Sequence, residues 1–173
     1  AADFERATRA AFLAALAAAR EVISALERRL ALERGWFEAN FGPIGDHAQW
    51  HVKRYRPECG ASNGVLLPVH TDPSLISVVA HDAPGVEEGA RGLEYLDSSG
   101  GGAGGAWAEV PHHGHGVLTV FTGSVLDRIT GGAFPAARHR VTRSGLTGKR
   151  NERDAAPRLA ATFFWRPAPW ATL

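Results

Sequence analysis

The sequence has little cysteine and no methionine. The single cysteine, Cys59, has no second thiol to pair with, which excludes an internal disulfide and fits a reducing compartment. Because methionine is absent altogether, the chain has no initiator residue. We therefore expect a chain that is processed, truncated or incomplete at its N-terminus.

Long apolar runs and an excess of one charge are also missing. No stretch approaches the roughly twenty apolar residues that a membrane-spanning helix needs, and the first residues lack the basic-then-apolar order of a secretory signal. Nineteen basic residues stand against eighteen acidic ones, so no strong field favours nucleic acid or a membrane surface as a partner. We expect a cytoplasmic protein that binds a small molecule, and the sequence leaves its oligomeric state open.

The residues that are present follow two different hydrophobic periods. From Asp3 to about Glu33, apolar residues recur at steps of three and four, which predicts one long helix with Asp3 as N-cap and Gly35 as its stop. A short helical turn is predicted over residues 36–41. From Gln49 the period changes to two, which predicts eight strands at residues 49–55, 64–70, 75–80, 92–96, 106–110, 117–121, 136–142 and 158–165.

This order of elements predicts a mainly β protein with flanking α-structure. Eight short strands after a long N-terminal helix suit a jelly roll, in which two sheets pack face to face. A chain of 173 residues fits one structural domain. Within it we assign residues 1–48 to a helical support region and residues 49–173 to the β domain.

Two segments far apart in the sequence carry candidate metal ligands. His70 and Asp72 are separated by one residue, so in an extended strand both side chains point to the same side. A second imidazole from His139 would complete a set of two histidines and one carboxylate that leaves other coordination positions open. That set suits a non-haem iron(II) centre. Taken alone the triplet His-x-Asp is a weak signal, and a chance pairing in a turn is the alternative.

Several further motifs occur in the order found in a known family. They are Tyr55-Arg56-Pro57, His70-Thr71-Asp72-Pro73-Ser74, Gly92-Leu93-Glu94, Thr122-Gly123-Ser124, His139-Arg140-Val141 and Arg158-Leu159-Ala160. From residue 55 onward the chain resembles the isopenicillin-N-synthase-like family of 2-oxoglutarate- and iron(II)-dependent oxygenases. The resemblance implies a double-stranded β-helix. Family members usually carry a segment before the first long helix, and we expect that segment to be missing here.

The resemblance also implies an activity and the residues that perform it. It makes His70, Asp72 and His139 the iron(II) ligands, and Arg158 the arginine that pairs with the distal carboxylate of 2-oxoglutarate. The implied enzyme is a dioxygenase that uses O2 to oxidise a small organic substrate and releases succinate and CO2. Hydroxylation is the expected outcome, with desaturation or ring closure as alternatives.

Two positions depart from the family pattern. Where members usually have Arg-x-Ser, Ala160 removes the hydroxyl that would share the co-substrate carboxylate, and Thr162 on the same strand face is the candidate substitute. Where members often have Asn-x-Tyr before proline, the contact would come from Tyr55 or Arg56. These departures leave open an iron(II) oxidase of the same fold that does not use 2-oxoglutarate.

The substrate pocket is predicted from apolar and aromatic residues of the strands. The candidates are Leu67, Leu93, Tyr95 and Phe164, and such a lining favours an organic small molecule over a highly charged one. A non-catalytic jelly-roll binding module remains the alternative outside enzymes. An intact set of two histidines and one aspartate argues against a structural zinc site, which normally has four protein ligands.

Overall fold

The computed structural model describes residues 2–56, 64–81, 92–97, 105–111, 116–143 and 158–173, and for Arg158 the main chain alone. Cys59 lies outside these ranges. The helices are α1 (Ala2–Arg29), α2 (Trp36–Phe41) and α3 (Ser124–Ile129). The strands are β1 (Ala48–Tyr55), β2 (Val65–His70), β3 (Ile76–His81), β4 (Leu93–Asp97), β5 (Ala106–Glu109), β6 (Leu118–Thr122), β7 (His139–Thr142) and β8 (Arg158–Trp165). Within the described ranges, no helix has both the length and the apolar character needed to cross a membrane.

The eight strands form two antiparallel sheets of four. The first sheet has the order β1-β8-β3-β6, and the second has the order β2-β7-β4-β5. Apart from β4 and β5, neighbours in each sheet are not consecutive in the sequence, so the chain passes back and forth between the two sheets, as in a jelly roll. The predicted mainly β fold with a long N-terminal helix is confirmed. The largest difference in strand bounds is at β7, which begins at His139 rather than at residue 136.

The alternation of side chains in β8 explains how the first sheet separates two apolar layers. Phe163 and Trp165 are fully buried in the cluster that includes the helices, whereas Ala160 belongs to the cluster between the sheets. Successive residues of a strand point to opposite faces, so Ala160, Thr162 and Phe164 share the inner face. The inner face of β8 is therefore available to line a cavity.

Helix α1 packs across the outer face of the first sheet. The ring of Phe12 lies 5.8 Å from that of Trp50 and 5.5 Å from that of Phe163, measured between centroids. These edge and tilted contacts are favourable arrangements for aromatic pairs. The alanine-rich stripe allows a close approach, since Ala15 and Ala19 are fully buried.

The predicted ends of α1 are wrong at both sides. Asp3 lies inside the first turn, where its carboxylate pairs with Arg6 at 2.9 Å. The helix ends at Arg29, and Ala31 takes a left-handed φ of 54° that turns the chain out of the helix. Gly35, at φ 85°, instead precedes α2. The stop therefore comes from a local turn at a non-glycine residue, which periodicity does not reveal.

Helix α3 was not predicted, and it holds the segment that follows β2. The backbone N–H groups of Ser124 and Val125, in its first turn, donate to the carbonyls of Asp72 and Ser74 at 2.8 and 3.1 Å. The N–H of Gly123 donates to the carbonyl of Leu75 at 2.9 Å. The free donors at a helix N-terminus are thus satisfied by the loop that carries Asp72.

Candidate metal centre and adjoining pocket

The three predicted metal ligands come from two neighbouring strands of the second sheet and the loop that follows one of them. His70 is the last residue of β2 and His139 is the first of β7, and the antiparallel register places these two residues opposite each other. Their rings lie 4.3 Å apart between centroids. Asp72 follows two residues after His70, in the loop held by α3. The sheet register therefore brings together residues that are 69 positions apart in sequence.

The ligand atoms of these side chains converge on one point. Nε2 of His70 lies 3.5 Å and Nε2 of His139 lies 3.7 Å from Oδ1 of Asp72, and all three ligand atoms lie within 4.8 Å of one another. Both distances exceed the range of about 2.7 to 3.2 Å that is usual for a good N–H···O hydrogen bond. The atoms are close without bonding directly, which is the arrangement expected of ligands around an ion.

The orientation of both imidazoles is set by their own strands. Nδ1 of His70 donates to the carbonyl of Pro68 at 2.8 Å, and Nδ1 of His139 donates to the carbonyl of Ala137 at 3.0 Å. With the proton on Nδ1, each Nε2 presents a lone pair towards Asp72. Hydrogen bonds of this kind fix the tautomer of metal-binding histidines. The donor set therefore fits a divalent metal ion such as iron(II).

The surroundings of His139 favour its neutral, metal-binding form. The ring of Phe121 stacks on it at 4.7 Å with an angle of 8° between the planes. Burial is the main cause that lowers the pKa of His139, and the charges of His70 and Lys53 add to this effect. The bond to the Ala137 carbonyl and the charge of Asp72 oppose it. Because metal ions bind the neutral imidazole, a lowered pKa keeps the ligand ready at lower pH.

A cavity opens beside these ligands, between the two sheets. Apart from the three candidate ligands, the residues that line it come from seven strands and are mostly apolar: Lys53, Tyr55, Leu67, Val79, Leu93, Phe121, Val141, Ala160, Thr162 and Phe164.

Most of the predicted pocket residues line this cavity. Leu67, Leu93 and Phe164 do so, as do the candidate co-substrate contacts Tyr55 and Thr162. Two of the remaining predicted residues lie elsewhere. Tyr95 is half-buried against the apolar cluster between the sheets, and Arg56 is exposed just after the end of β1. Neither is among the lining residues.

Lys53 is a cavity residue that the sequence analysis missed. It shares the inner face of β1 with Tyr55, two positions away, because alternate residues of a strand point to the same side. The strand prediction contained the signal, since once Tyr55 is placed inside, the period of two places Lys53 inside as well. The family motif before Pro57 indicated Tyr55 or Arg56 as the co-substrate contact instead.

Arg158 is placed by its main chain alone. It opens β8 and pairs with Tyr55 of β1 in the antiparallel register. Its side chain lies outside the described part of the chain, so its predicted contact with 2-oxoglutarate stays a prediction. Ala160, two residues on, pairs with Lys53 on one side and with His81 on the other.

Comparisons with solved structures find the same fold in several oxygenases. A full-length Neurospora crassa protein crystallised with alpha-KG and 5-formyluracil matches with a TM-score of 0.69 and 19% identity, over 95% of this chain and 49% of that one. The dioxygenase for auxin oxidation 1 of Arabidopsis thaliana, solved with 2-oxoglutarate, matches with a TM-score of 0.67 and 18% identity, over 90% and 49%. A 2OG-Fe(II) oxygenase family protein from Caulobacter crescentus matches with a TM-score of 0.69 and 25% identity, over 95% and 47%.

The length of the chain can be compared with that of these solved structures. It spans about half the length of the solved structures that it resembles, since it covers 49%, 49% and 47% of the three. No curated protein matches it closely.

The sequence profile of the 2OG-Fe(II) oxygenase superfamily matches residues 46–167, which is more than half of the chain. The matched range contains both histidines and the aspartate of the candidate metal centre. The prediction of iron(II), 2-oxoglutarate and O2 as cofactor and co-substrates is confirmed at the level of this family, with His70, Asp72 and His139 as a possible iron site. The chain belongs to the 2OG-Fe(II) oxygenase superfamily.

Proposed function

We propose that this chain forms the catalytic region of an iron(II)- and 2-oxoglutarate-dependent dioxygenase that hydroxylates a small organic substrate and releases succinate and CO2. One observation carries the proposal: Nε2 of His70, Nε2 of His139 and Oδ1 of Asp72 converge within 4.8 Å at the edge of a cavity. Within the superfamily we place it in the isopenicillin-N-synthase-like family, with a double-stranded β-helix formed by residues 49–173 and supported by residues 1–48.

Each residue of the site has a specific task in this proposal. His70, Asp72 and His139 would hold iron(II), and the bound metal would supply the activation of oxygen. Tyr55 and Thr162 line the cavity and bind 2-oxoglutarate, and Arg158 pairs with its distal carboxylate. A guanidinium suits this task because its planar fork of donors matches a carboxylate.

The apolar part of the cavity holds the substrate. Leu67, Leu93 and Phe164 surround the space beside the ligands, where they would position a C–H bond near the metal and exclude water. Such a lining suits a compact organic molecule without several charges. The Neurospora crassa protein binds 5-formyluracil in one crystal structure and thymine in another, and these are small molecules of that kind.

The test measures turnover of 2-oxoglutarate by the purified chain under air. Many reactions of this type proceed slowly without the main substrate, so iron(II), 2-oxoglutarate and O2 suffice to look for succinate. We expect succinate from the unsubstituted chain and none from Asp72→Ala or His139→Ala, because each removes one of only three protein ligands. The matched controls are Asp46→Ala and His47→Ala, which remove an exposed carboxylate and an exposed imidazole outside the cavity.

Either of two results would contradict the proposal. Succinate formation by Asp72→Ala or His139→Ala at the parent rate would show that the three residues do not hold the metal. Equal loss in the controls would show that the losses do not come from the site. A thermal unfolding curve for each variant separates loss of the metal site from loss of the fold.

A second candidate, an iron(II) oxidase that does not use 2-oxoglutarate, rests on Ala160. Its methyl group lines the cavity where the family pattern has a serine hydroxyl. If this candidate is right, the iron-loaded chain consumes O2 equally well with and without 2-oxoglutarate once a substrate is present. A binding module with structural zinc is disfavoured, because within the described residues the candidate cluster contains three ligands and not the usual four.

A further inference from the structure

Lys53 brings a positive charge into the cavity of the candidate centre. It lies on the inner face of β1 and lines the same space as His70, Asp72 and His139. Tyr55, two positions along β1, and Ala160, opposite Lys53 on β8, line the same space.

The ammonium of Lys53 has no partner in the described part of the chain. No hydrogen bond or ion pair joins it to any described residue, and the carboxylate of the same cavity, Asp72, has the imidazoles of His70 and His139 as its close neighbours. Lys53 is half-buried. Placing a cation inside a cavity costs free energy unless an anion accompanies it. The position therefore suits the binding of an anionic ligand.

The register of the first sheet places Lys53 next to the missing hydroxyl. Lys53 pairs with Ala160 across β1 and β8, and His81 pairs with Ala160 from the other side across β3 and β8. Nε2 of His81 is already hydrogen-bonded to Oγ1 of Thr119 at 3.0 Å. Lys53 is thus the polar neighbour of Ala160 that is available for a ligand.

Thr162 is less well placed to replace that hydroxyl. It lies four residues from Arg158 along β8, which is roughly 13 Å at about 3.3 Å per residue. Lys53 is opposite Ala160, only two residues along the strand from the level of Arg158, and its side chain is long. A carboxylate held at the start of β8 is therefore within reach of Lys53 and beyond the reach of the short threonine side chain.

We propose that Lys53 binds the distal carboxylate of 2-oxoglutarate and takes the place of the serine hydroxyl that Ala160 lacks. This inference rests on the proposed function, and it assigns a carboxylate-binding residue on β1. In a bond between an ammonium and a carboxylate both partners are charged, whereas in the hydroxyl contact that it replaces only the carboxylate is.

The test compares two 2-oxo acids that differ only at the distal end. 2-Oxoglutarate carries a carboxylate there, and 2-oxovalerate carries a methyl group in its place. Binding of each acid to the iron(II)-loaded 173-residue chain is measured by calorimetry without oxygen. Lys53→Met keeps a long unbranched side chain and removes the charge. The matched control is Arg54→Met, which removes an exposed cation from the next position, on the opposite face of β1.

We expect Lys53→Met to weaken 2-oxoglutarate binding by about 10-fold or more, in line with the loss of a charged hydrogen bond. Its affinity for 2-oxovalerate and for iron(II) should match that of the parent, and Lys53→Arg should restore most of the lost affinity. Arg54→Met should bind both acids as the parent does.

Two outcomes overturn the inference about Lys53. One is unchanged 2-oxoglutarate affinity in Lys53→Met, and the other is equal weakening of both acids, which indicates a structural role or a contact at the other end. Both leave the proposed function intact as long as the parent binds 2-oxoglutarate. If the iron-loaded parent binds neither acid, the proposed function fails, and the assignment of Lys53 fails with it.

Discussion

Gly123 lies where α3 meets the loop that carries Asp72, and its replacement by alanine tests how that loop is held. A Cβ atom built on Gly123 would lie 2.0 Å from the carbonyl oxygen of Ser74 and 2.6 Å from its carbonyl carbon. Real Cβ contacts essentially never fall below 3.0 Å, so the two backbones must separate by at least about 1 Å. The obstacle is main chain, which has no rotamer to change.

The separation has a cost in stability and in metal binding. Overpacking costs about 1–3 kcal/mol, and we expect the upper end here, which corresponds to a fall in Tm of about 6 to 12 °C for a chain of this size. The movement also breaks the bond from the N–H of Ser124 to the carbonyl of Asp72. Loss of such supporting bonds lowers metal affinity by about 10- to 100-fold.

Thermal unfolding and iron(II) titration of Gly123→Ala measure both effects. The control is Gly131→Ala, which adds the same methyl group where no atom lies within 4 Å. Gly131→Ala should lose only the stability that a left-handed backbone costs a residue with a Cβ atom, about 1–2 kcal/mol, and should bind iron(II) as the parent does. The steric argument is refuted if Gly123→Ala binds iron(II) like the parent or loses no more stability than Gly131→Ala.

Three further predictions follow from the surroundings of the site. Phe121→Leu removes the ring stacked on His139, so we expect a stability loss of about 1 kcal/mol and weaker iron(II) binding in titration; unchanged iron affinity would show that the stacking does not hold the ligand. Glu94→Gln weakens the hydrogen bonds that Arg140 and Thr142 donate to Glu94, at 2.6 and 3.2 Å on the outer face of the second sheet. Denaturant unfolding should show a stability loss of about 1 kcal/mol, while the affinity for iron(II) stays unchanged. A change in iron(II) affinity would contradict the assignment of Glu94 to the outer face. Burial lowers the pKa of His139, so the unfolded chain takes up this proton near its ordinary pKa of about 6.5 and the folded, metal-free chain only at lower pH. The free energy of unfolding measured with a chelator present should therefore be retained above about pH 6.5 and fall as the pH drops below that value. His139→Gln should reduce this pH dependence. An identical pH profile in that variant would contradict the assignment of the dependence to His139.

The parts of the fold that depend on local patterns were predictable from the sequence. The period of two gave all eight strands, because side chains of each strand alternate between two apolar layers or between a layer and solvent. Helix α3 was missed because its six residues lie between two strands and are too few to show a helical period within the region of period two, whereas the equally short α2 lies in the helical region. The end of α1 was placed at about Glu33 instead of Arg29 because the turn is made by Ala31, a residue that rarely takes a positive φ.

The site depends on both local and long-range geometry, and only the local geometry can be predicted from the sequence pattern. His70 and Asp72 are predicted to converge because they are two residues apart in an extended segment. The convergence of His139 depends on the register of β2 against β7, which no local pattern specifies; His139 was predicted because it completes a set of two histidines and one carboxylate and because the family resemblance implies it. Lys53 was overlooked because its role depends on which face of β1 is inside and on its pairing with Ala160.

The most direct test of the proposed metal centre is spectroscopic. Iron(II) and then 2-oxoglutarate are added to the metal-free chain without oxygen, and the visible absorption is recorded for the weak charge-transfer band of 2-oxoglutarate chelated to iron(II). We expect the band in the parent and in His47→Ala, and no band in His139→Ala. A band that persists in His139→Ala, or a parent that binds iron(II) without giving the band, would contradict the proposed metal centre.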